Sequence, residues 1–218
     1  MPAIEKLIEI CHKVYKNKFV SAFDGNISCR ISDNEFLITR SAVCKGDVQR
    51  KDILKINSGG SLLGGEGKFS TETKLHLFIY SRRKEINSVV HCHPVYATAF
   101  AVNGIGLDKH YFPEVVLTMG KIPLCKYGTP STSELTDSIE PFVDHSLAFL
   151  LQNHGAVTIG KSLDEAYFRM EKLEHTAKTL TVAKLTGEPK TLTNDQIKKL
   201  LTISKNVYGI SPDERNIF

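Results

Sequence analysis

Strand-like patterning without an intervening helix covers residues 26–56, and this feature most restricts the folds open to the chain. Residues 27–31 and 36–39 alternate along β-branched stretches, with Asp33 and Asn34 between them as turn formers. The pattern predicts an antiparallel hairpin. A sheet in which a helix follows every strand does not fit, because consecutive strands leave no room for the helix.

Helix and strand signals follow each other irregularly along the rest of the chain. Apolar residues at helical spacing predict amphipathic helices over about the first 17 residues and from a Ser162/Glu165 capping box to about residue 185. Shorter helices are predicted near Ser70 and over 95–102, 131–142 and 194–205, and strands over 88–93, 122–127, 147–151 and 155–160. We expect one α/β domain, residues 1–218, whose central mixed, largely antiparallel sheet is covered by helices.

The composition is that of an ordinary globular protein, with 41% hydrophobic and 24% charged residues among 218. A formal net charge of +4 is too small and scattered to favour nucleic-acid binding. The five cysteines form no CxxC pair, which indicates a reducing compartment. The longest apolar stretch, residues 88–102, is shorter than the ~20 residues of a membrane span, and the N-terminus lacks the apolar segment of a secretory signal. We expect a cytoplasmic protein with no membrane or nucleic-acid partner.

Three histidines form the first candidate site. His91 and His93 lie two residues apart in a predicted strand, so their side chains share one face, while Cys92 faces the opposite side. His154, in the segment before Gly155, could provide a third imidazole. Three imidazoles and an oxygen ligand suit Zn²⁺, and a site with three protein ligands leaves a coordination position for substrate. Two unrelated surface histidines are the alternative interpretation of the His91/His93 pair taken alone.

Three clusters of small hydroxyl, amide and glycine residues form a second candidate site. Their members are Gly25, Asn26, Ser41, Ala42, Ser70 and Thr71. If Ser70 or Thr71 caps the following helix, free backbone N–H groups there would bind a phosphate. Glu72 would then lie just inside the helix. For each cluster taken alone, ordinary turn and cap chemistry is the alternative.

Five motifs, in this order along the chain, resemble the class II aldolase/adducin family. They are Gly25-Asn26-Ile27-Ser28, Leu37-Ile38-Thr39, Ser70-Thr71-Glu72, His91-Cys92-His93-Pro94 and Asn153-His154-Gly155. The resemblance extends from the first helix to Tyr208 and is greatest to the L-fuculose-1-phosphate aldolase branch. It implies a homotetramer with its sites at the boundaries between subunits.

The resemblance also implies roles for individual residues. His91, His93 and His154 match the family's zinc-binding histidines. Glu72 matches an acidic residue that ligates zinc at rest and becomes the general acid/base when substrate arrives, and Tyr208 matches a tyrosine that closes over the site. The substrate phosphate would be held by Gly25, Asn26, Ser41, Ala42, Ser70 and Thr71. Whether Mn²⁺ or Co²⁺ can replace zinc does not follow from the motifs.

The chain departs from the aldolase pattern at two places. Ala42 stands where a glycine usually follows the hydroxyl residue of the phosphate loop, and this would narrow or weaken the pocket. Pro113 and Glu114 stand where the aldolases have a tyrosine that protonates the aldehyde oxygen. Related sugar-phosphate dehydratases have a glutamate acid/base near this point. The proton donor is therefore left open between Tyr111, Glu114 and Tyr208.

The activity implied by the resemblance is a zinc-dependent aldolase, an aldehyde-lyase. It would cleave a ketose 1-phosphate to dihydroxyacetone phosphate and a short aldehyde such as L-lactaldehyde, with the ion as Lewis acid and Glu72 exchanging a proton. A dehydratase, a decarboxylase or a pentulose-5-phosphate 4-epimerase of the same family would use the same metal and phosphate residues. The non-enzymatic alternative is an adducin-like structural module without metal, and the intact Glu72 and histidines argue against it.

Overall fold

The computed structural model describes residues 3–208 and 212–218, apart from the side chain of Tyr208. Within these residues, eight strands form one sheet: β1 (Asn26–Ser32), β2 (Glu35–Thr39), β3 (Ile53–Asn57), β4 (Leu62–Gly64), β5 (Ser88–Cys92), β6 (Leu124–Cys125), β7 (Ala148–Leu151) and β8 (Gly155–Gly160). Their order is β4-β3-β2-β1-β5-β8-β7-β6. Neighbouring strands are antiparallel except β6 and β7, which are parallel. The expected mixed, largely antiparallel sheet is confirmed.

Seven α-helices occur in the part of the chain that the structure describes: α1 (Ala3–Lys16), α2 (Thr73–Arg82), α3 (Val95–Val102), α4 (Pro113–Thr118), α5 (Ser133–Val143), α6 (Leu163–Thr186) and α7 (Asn194–Ile203). The Ser162 side chain accepts a hydrogen bond from the Glu165 backbone N–H, as the capping motif predicts. A π-helical turn, Ser204–Tyr208, follows α7. Among the described helices, none has the length and apolar character needed to cross a membrane.

Two predicted boundaries are wrong. The strand expected over residues 122–127 is reduced to the two residues of β6, because Ile122 pairs with Leu107 and Pro123 has no N–H to donate. The helix expected near Ser70 begins only at Thr73, because residues 70–73 form a turn in which the Thr73 N–H bonds the Ser70 carbonyl at 3.0 Å.

The two faces of the sheet pack against different helices. One hydrophobic cluster joins the sheet to α1, α3 and α6, and the other joins it to α2 and α5. In β5, Val90 and Cys92 belong to the first cluster and Val89 to the second. Because side chains alternate along a strand, His91 faces the side covered by α2. By the same alternation, Asn26 faces that side too, since Ile27 belongs to the first cluster.

The order of the central strands brings distant parts of the chain to one end of the sheet. β1 begins at Asn26, which pairs with His91 near the end of β5. Ala156, near the start of β8, pairs with Cys92. Because β1 and β8 both run antiparallel to β5, the end of β5 meets the start of β1 and the β7–β8 turn that contains His154.

Candidate metal and substrate site

The three predicted histidines form a compact cluster at this end of the sheet. The ring centroids of His91, His93 and His154 are 4.9, 4.8 and 5.0 Å apart, and one ligand nitrogen of each lies within 4.8 Å of the others. The Nε2 atoms of His91 and His93 are 3.1 Å apart. Ligands ~2.1 Å from a tetrahedral ion would be about 3.4 Å from each other. The cluster therefore has the donors and spacing for one divalent ion.

Glu72 adds an oxygen donor to the histidines. Its Oε1 lies 3.1 Å from Nε2 of His154, and its Oε2 lies 3.4 Å from Nε2 of His91. The Asn26 side-chain amide donates a hydrogen bond of 2.8 Å to Oε2. The predicted fourth donor, the Glu72 carboxylate, therefore lies beside two of the imidazoles, and Asn26 orients it.

A backbone contact fixes the orientation of the most buried imidazole. His91 is fully buried, and its Nδ1 lies 3.0 Å from the Ala156 carbonyl oxygen. With Nδ1–H donating to this carbonyl, Nε2 carries a lone pair and faces the cluster. A ligand histidine in metalloproteins is commonly fixed by such a contact.

Burial and hydrogen bonding keep the donors in the charge states that bind a cation. Burial lowers the pKa of His91 to about 3 and also lowers the pKa of His93, so both rings are neutral near pH 7. Burial alone would raise the pKa of Glu72, but hydrogen bonds with His154 and Asn26 hold it well below its usual value. Neutral imidazoles and an ionised carboxylate are the protonation states that metal binding requires.

A cavity of about 220 Å³ adjoins the cluster and contains the second predicted group. Its lining includes Glu72 and His93 together with Gly25, Asn26, Ser41, Ala42, Ser70 and Thr71. The structure thus brings every residue predicted to contact phosphate beside two of the predicted metal-site residues. This juxtaposition joins four chain segments that are separate in the sequence: residues 25–26, 41–42, 70–72 and His93.

The hydroxyl residues before α2 have different local partners. Ser70 Oγ accepts a hydrogen bond of 3.2 Å from the Glu72 backbone N–H and lies 3.5 Å from Nδ2 of Asn26. The Thr71 hydroxyl instead contacts the hydroxyl of Ser131, in the loop before α5. Ser70 therefore orders the turn that presents Glu72, whereas Thr71 ties this turn to a neighbouring loop.

Two residues of the cavity have a left-handed backbone. Gly25 has φ +71°, and a Cβ there would lie 2.6 Å from the His91 carbonyl oxygen. Ala42 has φ 59°, a conformation that costs a residue with a side chain about 1–2 kcal/mol. The backbone at Ala42 thus keeps a glycine-favoured shape, and its methyl group belongs to the cavity wall.

Of the three candidate proton donors, the two whose side chains the structure describes, Tyr111 and Glu114, do not line this cavity. Glu114, in the first turn of α4, is exposed and lines a different cavity with Phe112 and His175. Tyr111 lines a third cavity, beside Leu180. The side chain of Tyr208 lies outside the described residues.

Sequence reasoning did not include five residues of the cavity lining among the predicted site residues: Phe23, Asp24, Thr39, Arg40 and Lys45. Phe23 is 62% exposed, and Lys45 is only 1% exposed. The sequence indicated a role for these residues only through their closeness to the Gly25 and Ser41 motifs. It did not indicate that Lys45 is buried, because a lysine in a polar loop is normally solvated.

Gly155 leaves the space that the His93 ring occupies. A Cβ at position 155 would lie 2.5 Å from Cδ2 of His93 and 2.6 Å from the Cys92 carbonyl oxygen. We expect Gly155→Ala to displace the ring and weaken metal affinity about 10- to 100-fold, as disturbed ligand orientation does elsewhere. Metal titration of this variant and of Gly64→Ala, where an added Cβ would lie at an ordinary contact distance of 3.8 Å from Cβ of Lys55, provides the measurement and the control. Equal affinities in both variants would contradict this role of Gly155.

A buried network of polar side chains joins helix α2, which follows Glu72, to strand β1. Helix α2 places His76 and Tyr80 one and two turns after Glu72, on the face that covers β1. Ser28 Oγ lies 2.7 Å from Nδ1 of His76 and 2.8 Å from the Tyr80 hydroxyl. Ser28, His76 and Tyr80 are each 1% exposed. The network therefore anchors the start of α2 to the strand that carries Asn26.

His76 is expected to make stability fall in mild acid. Burial lowers its pKa to about 4 from 6.5, although the carboxylate of Glu72 acts in the opposite direction. Between these pH values the unfolded chain binds a proton that the folded protein does not, so the free energy of unfolding decreases as pH falls, by about 1.4 kcal/mol per unit. Urea unfolding of metal-free protein between pH 4 and 6.5 should show this slope reduced in His76→Gln. The same slope in both proteins would contradict a neutral, buried His76.

The fold and the histidine cluster together define a sheet protein with a candidate metal centre at one sheet end. The family model described as "Class II Aldolase and Adducin N-terminal domain" matches residues 5–181. The chain therefore belongs to this family, as the sequence motifs predict.

Curated relatives and a solved structure agree with this assignment. The chain is 34% identical to an L-fuculose phosphate aldolase of Methanococcus maripaludis over 78% of this chain and 91% of the relative. It is 32% identical to a 3-oxo-tetronate 4-phosphate decarboxylase of Pectobacterium atrosepticum, over 89% of this chain and 90% of the relative. A solved L-fuculose 1-phosphate aldolase superposes with a TM-score of 0.86 at 25% identity, over 93% of this chain and 96% of that one.

Proposed function

We propose that this protein is a zinc-dependent aldolase. It cleaves a ketose 1-phosphate to dihydroxyacetone phosphate and a short aldehyde such as L-lactaldehyde. The observation that carries the proposal is the meeting of Glu72 and three histidines beside a cavity lined by the predicted phosphate residues. We further propose that residues 1–218 form one class II aldolase domain acting in the cytoplasm.

Three imidazoles and one carboxylate are a ligand set that fits zinc, and other residues of the chain would bind the substrate. His91, His93, His154 and Glu72 would hold the ion, which when bound supplies Lewis-acid stabilisation of negative charge on the substrate. Asn26, Ser41 and the Ser70 turn would bind the phosphate and so fix the position of the carbon chain.

Glu72 carries the proton transfer in this proposal. During cleavage the C3–C4 bond breaks, the C4 hydroxyl proton is released as the aldehyde forms, and the electron pair left at C3 takes up a proton. We assign the exchange of this C3 proton to Glu72, in both reaction directions. Its position supports the role, since Glu72 lines the cavity and is held as the carboxylate that proton removal from dihydroxyacetone phosphate requires.

Decarboxylation of a 3-oxo sugar-acid phosphate is the second candidate function. The 32% identity to the Pectobacterium decarboxylase extends over 202 residues, further than the match to the Methanococcus aldolase. Both reactions leave an electron pair on a carbon beside a carbonyl group, so the same cation and phosphate residues would serve either one. The loss of the aldolase tyrosine at the Pro113-Glu114 position also favours this alternative.

We also propose a homotetramer with the site at a subunit boundary. In one chain, Glu114 lines a cavity separate from that of the histidines, so it would serve the site of a neighbouring copy. Light scattering of the purified protein measures the oligomeric state, and a monomeric active enzyme would contradict this arrangement.

A substrate panel tests the proposed function. Zinc-loaded protein is incubated with ketose 1- and 5-phosphates and with 3-oxo-tetronate 4-phosphate, and dihydroxyacetone phosphate and CO₂ are measured. Release of dihydroxyacetone phosphate from a ketose 1-phosphate supports the aldolase. Release of CO₂ together with dihydroxyacetone phosphate from 3-oxo-tetronate 4-phosphate, with no cleavage of any ketose phosphate, would replace it with the decarboxylase, and neither product from any member would overturn both.

A further inference from the structure

Lys45 is a buried cation in the wall of the cavity. It lies in the loop between β2 and β3, three residues after Ala42, and is 1% exposed. Its side chain lines the same cavity as Asn26 and Ser70. A lysine is almost never fully buried unless its charge is paired, so this placement calls for a partner.

The partners that the structure gives the ammonium group are neutral. Nζ of Lys45 donates to the carbonyl oxygens of Val43 at 3.0 Å and Phe23 at 3.2 Å. Among residues 3–208 and 212–218, no carboxylate forms an ion pair with it. A lysine ammonium has three N–H donors, so a third donor remains beyond the two carbonyl bonds.

The other charged groups of the cavity have partners of their own. The Arg40 guanidinium donates twice to Oδ1 of the buried Asp52, at 2.7 and 3.1 Å. The Asp24 carboxylate lies 3.8 Å from Nδ1 of His93. Glu72 contacts His154 and Asn26. The charge of Asp24 also acts on Lys45, but from beyond ion-pair distance. Lys45 is thus a buried cation of this wall that has no carboxylate oxygen within 4 Å in the described part of the chain.

From this geometry we infer that Lys45 binds the substrate phosphate and provides its counter-charge. The inference rests on the proposed function and adds to it a residue that sets the preference for phosphorylated over neutral sugars. The phosphate residues predicted from the motifs offer only neutral hydroxyl, amide and backbone groups, whereas a charge-assisted bond to an ammonium group is roughly twice as strong. Burial lowers the pKa of Lys45, and an anion in the cavity would act in the opposite direction.

Paired ligands test the inference in the zinc-loaded enzyme. Dissociation constants are measured calorimetrically for dihydroxyacetone phosphate and for dihydroxyacetone, which differ only in the phosphate group. We expect Lys45→Met to weaken binding of the phosphate about 10- to 100-fold and to leave binding of dihydroxyacetone and the zinc content unchanged. Lys45→Arg should keep part of the affinity. Lys68→Met removes the same charge from an exposed position before Ser70 and should bind both ligands like the wild type.

The outcomes separate this inference from the proposed function. Unchanged phosphate binding by Lys45→Met, or an equal loss for both ligands, would overturn the role of Lys45 while the wild-type activity stands. A wild type that does not prefer dihydroxyacetone phosphate to dihydroxyacetone would overturn the proposed function as well. If Lys45→Met does not fold, Lys45→Gln provides the neutral variant, because its amide can still donate to the two carbonyl groups.

Discussion

Replacing Glu72 with glutamine is expected to reduce turnover about 10²- to 10⁴-fold while most of the metal remains bound, because general acid/base groups contribute effects of this size. The three imidazoles remain in Glu72→Gln, and the glutamine oxygen can still accept the hydrogen bond from Asn26. The amide cannot exchange a proton with C3 of the substrate. Turnover of the cleaved ketose phosphate and metal content by mass spectrometry measure the two effects separately.

Glu114→Gln is the informative comparison for this variant. If Glu72 is the acid/base, the larger loss occurs in Glu72→Gln, whereas the dehydratase or decarboxylase alternatives place the larger loss at Glu114. Glu140→Gln, on the exposed surface of α5, controls for the loss of one negative charge. Normal cleavage by Glu72→Gln would overturn the assignment of the proton transfer.

Metal and activity are expected to disappear together in His93→Ala. The substitution removes one of three imidazoles and leaves His91 and His154 with a single carboxylate. The ion loses one metal–nitrogen bond, and two imidazoles with one carboxylate hold zinc less tightly than three imidazoles with one carboxylate. We expect metal affinity to fall by at least 100-fold and cleavage to fall to the background rate.

His12→Ala is the matched control, since this exposed histidine of α1 does not line the cavity beside the histidine cluster. It should bind zinc stoichiometrically and turn over normally. Restored activity of His93→Ala at high zinc concentration would support a ligand role. A His93→Ala protein that keeps tightly bound stoichiometric zinc would exclude His93 from the ligand set.

Local sequence patterns predicted the helices and strands that are specified by residues close together in the sequence. The alternation around Asp33 and Asn34 gave the β1–β2 hairpin, and helical periodicity gave α1 and α6. The same strand period placed His91 and His93 on one face. These periodic patterns depend only on residues close together in the sequence, so they can be recognised without knowledge of the fold.

Other features depend on tertiary contacts and could not be predicted in this way. Spacing alone did not show that Glu72 and His154 meet His91, because the strand order β1-β5-β8 decides it. The motifs of the family supplied that information instead. The six residues of α4 are too few to show a helical period. The burial of Lys45 depends on a distant part of the chain, since its ammonium group donates to the Phe23 carbonyl before β1.

The residues of the site differ in how firmly the surrounding structure holds their main chain. The histidines and Asn26 lie at the ends of the central strands and in the turn between β7 and β8, where neighbours on both sides fix the main chain. Ser41, Ala42 and Lys45 lie in the loop between β2 and β3, next to an isolated bridge that joins Arg40 and Phe69, two residues outside the named strands. Substitutions in residues 41–45 can therefore alter which sugar is accepted without moving the ligands of the ion. Relatives with one scaffold can in this way diverge in chemistry through a few loop positions.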